Sequence, residues 1–201
     1  MRPVLNLGFH GIGSPEGRDF GDGERDFWAT PELLEATLDA ATDRPDIAIS
    51  FDDGNRTDID IALPALTERG LSATFFIVPS WLGRPGSIDE DGVRMLADSG
   101  MTIGNHGLAH LRWTALTTDQ LTHEVVDARR RLEQLSGTPI ATLAIPYGDY
   151  DDAVLASVGE FGYDHVFTSD GGTADSTAWL QAREHIRANH TPADLEQLLA
   201  V

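Results

Sequence analysis

The stretch Asp46-Ile47-Ala48-Ile49-Ser50-Phe51 is a short apolar run, and it is followed by an amphipathic segment from Asp58 to Arg69 closed by Gly70. Beyond that glycine comes Ser72-Ala73-Thr74-Phe75-Phe76-Ile77-Val78, rich in β-branched and aromatic side chains. The two short runs suit strands, and the longer middle segment suits a helix ended by a left-handed glycine. Strand, helix and strand joined by short loops read as a βαβ unit, which makes the two strands parallel.

The alternation continues in both directions. Upstream, Val4 to His10 reads as a strand, Gly11 to Asp26 as a Gly- and charge-rich loop, and Thr30 as the cap of a helix with Pro31 at its first position, running to Ala41. Downstream, Ser87-Ile88-Asp89-Glu90 reads as a capping box for a helix that stops at Gly100, and Met101 to Gly104 as a short strand. Thr117-Thr118-Asp119-Gln120 is a second capping box, with a helix to Leu135. Strands at Ala141 to Ile145 and His165 to Thr168 enclose a helix from Tyr150 to Glu160; Arg183 to Arg187 is a weaker last strand, and Thr191-Pro192 opens a final helix. The class is α/β with a parallel sheet. Seven or eight such units fit either an open doubly wound sheet or a barrel, and periodicity does not separate the two. No repeat or linker divides the 201 residues, so a single domain spanning 1–201 is expected.

Charge narrows the partners. Fourteen basic residues, all Arg, face 33 acids, 22 of them Asp, for a net charge of −19. Such a field excludes nucleic-acid binding, which rests on neutralising phosphates, and docking on anionic membranes. The acids are spread along the chain, which favours a solvated surface adapted to high salt over a dedicated cation- or partner-binding tract. Without Cys there is no disulfide, thiolate metal site or Cys nucleophile. The N-terminus lacks the apolar core of a signal peptide, and no apolar run reaches the length of a membrane span. A cytoplasmic location is expected.

In parallel α/β folds ligands gather beyond the carboxyl ends of the strands. The second strand exits into Asp52-Asp53-Gly54, adjacent carboxylates that need a positive neighbour, with a glycine to aim them. The short strand at Met101 exits into Asn105-His106-Gly107-Leu108-Ala109-His110; on one helical turn His106 and His110 would share a face and reach one metal. Two imidazoles with one carboxylate leave an open coordination position, the pattern of a hydrolytic metal. A later strand exits into Pro146-Tyr147-Gly148-Asp149-Tyr150-Asp151.

Together, in this order, the three motifs resemble the polysaccharide deacetylase family, metal-dependent sugar N-deacetylases that include chitooligosaccharide deacetylases. The likeness extends to Arg69-Gly70-Leu71-Ser72-Ala73-Thr74-Phe75-Phe76 and runs from Val4 to about Leu199. The resemblance implies a distorted, incomplete (β/α) barrel of about seven parallel strands. It implies Asp53, His106 and His110 as ligands of one divalent metal ion, most often Zn2+ with Co2+ or Ni2+ as replacements. It further implies Asp52 as general base, Tyr147 as a backbone donor to the oxyanion, and an N-acetylated glycan or glycan precursor as substrate.

The sequence also departs from the family's pattern. The family's third motif opens with an Arg that steadies the base; here that position is Ala144, and Arg183 is the candidate replacement. The second motif's Ser or Thr is Gly107, so its loop must be held otherwise. The usual Leu-x-His motif that carries the acid is not intact, leaving His10 and His185 as candidates. Leu7-Gly8-Phe9-His10-Gly11-Ile12 looks like the opening element of the exopolysaccharide subgroup, whose barrel order is circularly permuted, and this favours His10. Trp28, Trp81 and Trp113 lie near strand exits, where they suit either sugar platforms or packing. Two rival functions stay open: hydrolysis of non-sugar linear or cyclic amides, and a catalytically inactive glycan-binding or assembly protein.

Overall fold

The computed structural model describes residues 2–14 and 23–200. Part of the predicted loop from Gly11 to Asp26 lies outside them. Nine strands form one sheet: β1 (Pro3–Phe9), β2 (Ile47–Asp53), β3 (Thr74–Ile77), β4 (Thr102–Asn105), β5 (Thr142–Ala144), β6 (His165–Phe167), β7 (Ala174–Asp175), β8 (Leu180–Gln181) and β9 (Glu184–His185). Neighbours run β7-β1-β2-β3-β4-β5-β6-β8, with β9 on β1. Strands β1 to β6 are parallel, and β7 pairs antiparallel with the start of β1.

The closure comes from residues 180–185. Leu180 and Gln181 pair in parallel with Val166 and Phe167 of β6. A few residues on, Glu184 and His185 pair in parallel with Leu7 and Gly8 of β1. One segment thus bridges the two edges of the six-stranded sheet and makes a seventh stave, giving a nearly closed barrel. The two-residue pieces β7 and β8 carry no periodic signal, and they escape a reading based on alternation.

The helices cover the outside. Thr30 caps α1 (Pro31–Thr42) by accepting the Leu33 N–H, and Asp151 caps α6 (Asp152–Gly159) through Val154. Thr191 and Asp194 form a capping box on α7 (Pro192–Leu199). A π-helical turn, Asp58–Ala62, leads into α2 (Leu63–Glu68). The helix after the Thr117 capping box is not uniform: α4 (Thr118–Thr122) passes through a π-helical turn, His123–Asp127, into α5 (Ala128–Ser136). The predicted Ser87 capping box is corrected. The cap of α3 (Glu90–Asp98) is Asp89, accepting the Gly92 N–H. Ser87 is instead held in an antiparallel bridge with Asn55, and the Ile88 N–H bonds Gly54 O. Among the described residues no helix is long and apolar enough to cross a membrane.

Phe9, Phe51 and Phe75 are register partners on β1, β2 and β3, and their rings stack at 5.3 and 4.9 Å. They share the main hydrophobic cluster with Leu34, Leu38 and Leu66 of the helices. Alternation along β2 sends Ser50 and Asp52 to the opposite face from Ile49 and Phe51. That other face is the barrel interior, where Asn6 donates to Gln181 and to the Ala182 carbonyl. Gly104 belongs there for space: a Cβ at this position would stand 2.4 Å from the Phe76 ring. Gly104→Ala is therefore expected to destabilise the fold by about 1–3 kcal/mol, the usual range for overpacking; urea denaturation measures it, and an unchanged midpoint would contradict this packing.

Candidate active site

The site begins at the end of β2. Successive strand residues point to opposite faces, so Asp52 and Asp53 would normally diverge. Asp53 has φ 81° and Gly54 φ 75°, and this left-handed pair breaks the alternation at the strand's end. Asp52 is 1% exposed and Asp53 3%. Arg183, from the link between β8 and β9, meets Asp52 with both ends of its fork: Nη1 donates to Oδ1 at 2.7 Å and Nη2 to Oδ2 at 2.9 Å. Nη1 also donates to Ser50 Oγ (3.1 Å) and Nε to the Thr168 carbonyl (3.2 Å). Phe76 and Phe167 lie beside the guanidinium, 5.1 and 5.9 Å from ring centre to Cζ. Burial pushes the Asp52 carboxyl up, but Arg183, aided by His106 and His10, outweighs it and holds the group far below the usual carboxylate range.

Asp53, His106 and His110 form a second group, with donor atoms all within 4.8 Å of one another. His110 Nε2 stands 3.4 Å and His106 Nε2 3.7 Å from Asp53 Oδ1. Tetrahedral donors at about 2.0–2.1 Å from a zinc ion sit about 3.3–3.5 Å apart, so the spacing fits such an ion. The chemistry of the donors fits too. His106 Nδ1 faces the Ala144 carbonyl at 2.9 Å, which makes Nδ1 the donor and turns the Nε2 lone pair toward Asp53. Burial pushes His106 down to about 4, outweighing the pull of Asp52 and Asp53, so the ring is a neutral ligand at neutral pH. The expectation that His106 and His110 share a helical turn is corrected. Residues 106–110 follow β4 as an irregular loop, with φ 75° at Gly107 and φ 57° at His110.

His10, Asp52 and His185 make another three-donor group. It differs in kind, because both Asp52 oxygens are already bonded to a guanidinium, and a second cation there would be repelled. His185 is 6% exposed; its Nε2 lies 3.0 Å from Ser169 Oγ, and a methyl on Gly8 would stand 2.8 Å from its Nδ1. Burial, with Arg183 and His10 adding, pushes His185 well below the ordinary histidine range. His10 is half-buried, 5.1 Å from the His185 ring and 4.8 Å from the Phe27 ring.

These groups line one cavity of about 580 Å³, together with Phe27, Trp81, Arg112, Tyr147 and Ser169. Tyr147 follows β5 with φ 60° and is 54% exposed. The His110 ring lies between Tyr147 (4.4 Å) and Trp81 (4.9 Å), and Arg112 stacks on Tyr147 at 4.4 Å. Of the three tryptophans considered from sequence, only Trp81 lines the cavity. Trp113 is core at 1% exposure, and Trp28 packs on Gly11, where a Cβ would clash at 2.4 Å. Asp53, His110 and Tyr147 are the non-glycine residues of positive φ among the described residues, and all three face this cavity. Strained backbone of this kind clusters at functional sites.

A sequence model of the family described as polysaccharide deacetylase matches residues 39–166. The chain belongs to the polysaccharide deacetylase family. A peptidoglycan-N-acetylglucosamine deacetylase of Bacillus cereus is 31% identical over 125 residues, 61% of this chain and 56% of that protein. Chitin deacetylase 1 of Cryptococcus neoformans is 30% identical over 138 residues, 65% of this chain but 28% of that protein. The chain thus spans about half or less of these relatives' length. The fold of a polysaccharide deacetylase from Bacillus cereus superposes with a TM-score of 0.85 at 19% identity, covering 98% of this chain and 69% of that one. In this deacetylase-family chain, the matched stretch holds Asp52, Asp53, His106, His110 and Tyr147. His10, Arg183 and His185 fall outside it; the pairing of β1 with β2 places His10 beside the others, and barrel closure places Arg183 and His185.

Ser50, Phe27, Ser169 and Glu124 complete the surroundings and were not evident from sequence. Glu124 did leave a signal: on the helix it falls between Leu121 and Ala128, on the stripe of buried apolar positions. The buried histidines predict a pH dependence. An unfolded His106 titrates near 6.5 and the folded one near 4. Between these values the unfolded chain holds the extra proton, so stability rises with pH, is complete above 6.5 and is lost as pH falls toward 4. His185 acts in the same direction, and Asp52 extends the loss into stronger acid. In chelator-treated protein, urea denaturation at pH 4.5 is expected to read at least on the order of 2–3 kcal/mol less stability than at pH 7, the share of His106 alone. Equal midpoints would show that His106 is not neutral.

Proposed function

We propose that this chain is a metal-dependent hydrolase that removes N-acetyl groups from an N-acetylated sugar in a polysaccharide or its precursor. The observation that carries the reading is that a buried carboxylate–arginine pair and an Asp-His-His donor set face one cavity, brought there by the exits of β2 and β4 and the link between β8 and β9. The names of the related proteins, deacetylases of chitin and peptidoglycan, support the same substrate class. Asp53, His106 and His110 would hold the ion, with zinc the best fit to two imidazoles and one carboxylate. When bound, a divalent ion supplies Lewis acidity toward a carbonyl and raises the acidity of water.

The rest falls to the chain's own side chains. Asp52 stays ionised at every working pH and so is always available to accept a proton. Arg183 makes it a weak base, which suits it to a water whose acidity has already been raised. Arg183 also fixes the direction of the carboxylate. Tyr147, in its left-handed turn at the exit of β5, would present its backbone N–H to the developing oxyanion. The departing amine needs a proton, because an amide anion is a very poor leaving group. His10 fits that role better than His185: it is half-buried at the cavity wall, whereas His185 is buried and engaged with Ser169. Phe27, Trp81 and the exposed Tyr147 ring offer apolar faces for sugar rings, which favours a glycan over a small cyclic amide. The intact Asp52–Arg183 pair favours catalysis over simple glycan binding.

Acetate release from N-acetylglucosamine oligomers, with zinc and in both dilute and molar salt, tests the activity. Asp52→Asn is expected to retain zinc by elemental analysis and lose turnover by about 10²–10⁴-fold; undiminished turnover would remove Asp52 from the mechanism. Asp53→Ala is expected to lose the ion, and full occupancy would overturn the ligand assignment. Between His10→Ala and His185→Ala, the former should cost more in kcat at matched stability, and the reverse order would transfer the acid role to His185.

A further inference from the structure

The loop of residues 106–110 carries two of the three donors, yet no helix or strand holds it. Its first half is tied at several points. The His106 N–H donates to the Ile77 carbonyl (3.1 Å), His106 Nδ1 to the Ala144 carbonyl (2.9 Å), and the Gly107 N–H to Asn105 Oδ1 (2.8 Å). Farther along, the Ser80 N–H reaches the Leu108 carbonyl at 3.0 Å. Next to His110, the Ala109 N–H donates to Glu124 Oε2 at 3.1 Å.

Glu124 is an unusual anchor. It is 4% exposed, and among the described residues it makes no ion pair. Burying a carboxylate without a cation costs several kcal/mol, so packing alone would favour an apolar side chain at this place on the helix. The π-helical turn His123–Asp127 carries it, and Asn105 Nδ2 donates to the Val125 carbonyl of the same turn at 2.9 Å. Glu124 also occupies the room under Gly107: a Cβ there would stand 3.1 Å from Oε2 and 3.5 Å from Pro146 and Trp113. With φ 75° at Gly107 as well, a hydroxyl side chain at that position would be crowded and strained, and the support arrives from the helix instead.

We propose that Glu124 is a positioning residue for the cation site: by holding the Ala109 amide it sets His110 within reach of Asp53. The inference rests on the metal reading above, and it concerns the chain's own hydrogen bond. Partners that hydrogen-bond a metal ligand directly are worth about 10–100-fold in metal affinity, and Glu124 acts on His110 through the adjoining backbone amide. Glu124→Asp keeps charge and polarity but withdraws the oxygen, whereas Glu124→Gln keeps an oxygen at full length. Two measurements decide the matter. Zinc titration by calorimetry is expected to show at least about tenfold weaker binding in Glu124→Asp and near-native binding in Glu124→Gln. Amide exchange of Ala109 by NMR, in metal-free protein, should show protection lost in Glu124→Asp and kept in Glu124→Gln. Native affinity and native protection in Glu124→Asp would overturn the proposal, as would equal impairment of the two variants in exchange. If the unsubstituted protein takes up no zinc, the metal reading falls, while the exchange result still decides the role of Glu124.

Discussion

The pair between Arg183 and Asp52 is the constraint on which the barrel and its cavity both depend. Asp52 lies next to the end of the second strand and Arg183 sits in the segment that closes the ring, so one bidentate contact ties the closing segment across the barrel interior. Four of the guanidinium's five N–H groups have partners: Ser50, Thr168 and both oxygens of Asp52. Removing either charge would leave the other buried and alone, which typically costs 3–5 kcal/mol. A lysine could not replace this fork, because its single ammonium lacks the planar set of donors. The chain contains no lysine at all, but at this one position the preference for arginine has a geometric cause.

The remaining arginines show the contrast. Arg44 with Asp46, Arg56 with Asp60, and Arg69 with Glu35 and Asp39 are surface pairs that water and salt reach. Such contacts are worth about 0–1 kcal/mol each. Arg129 does a different job: it donates to the carbonyls of Ile140, Phe161 and Gly162 while lying over the Tyr163 ring, tying the start of α5 to the segments before β5 and β6. The net charge of −19 therefore says little about the site, whose balance is set locally by Arg183 and four histidines around Asp52 and Asp53.

Much of the fold was legible because strands β1 to β6 are apolar runs separated by capped helices, and each cap is a local chemical signal. Thr30, Thr117, Asp151 and Thr191 all act within a single turn. Ser87 misled for the same reason: its spacing to Glu90 is that of a capping box, but a bridge to Asn55, distant in sequence, holds it extended. The histidine spacing was legible as a shared site and misleading as a helix, because a left-handed Gly107 and His110 bring the rings together by another path. Of the two-residue strands, β9 was legible within the expected last strand Arg183 to Arg187, whereas β7 and β8 were not, since their pairing depends on barrel closure; Glu124 showed only as an acid on the buried stripe, with nothing local to name what it holds. Arg183 was nameable only as a candidate, because nothing local in Ala182-Arg183-Glu184 says that the chain will return to Asp52.

The left-handed conformations at Asp53, His110 and Tyr147 have a consequence for how this barrel would respond to engineering. Each is a residue that an L side chain tolerates poorly there, at roughly 1–2 kcal/mol, and that glycine would adopt freely. A screen that ranks variants only by survival on heating would drift toward glycine at all three positions. It would arrive at a sturdier barrel with an empty rim, since the conformations that heat selection would relax are those that aim the side chains inward.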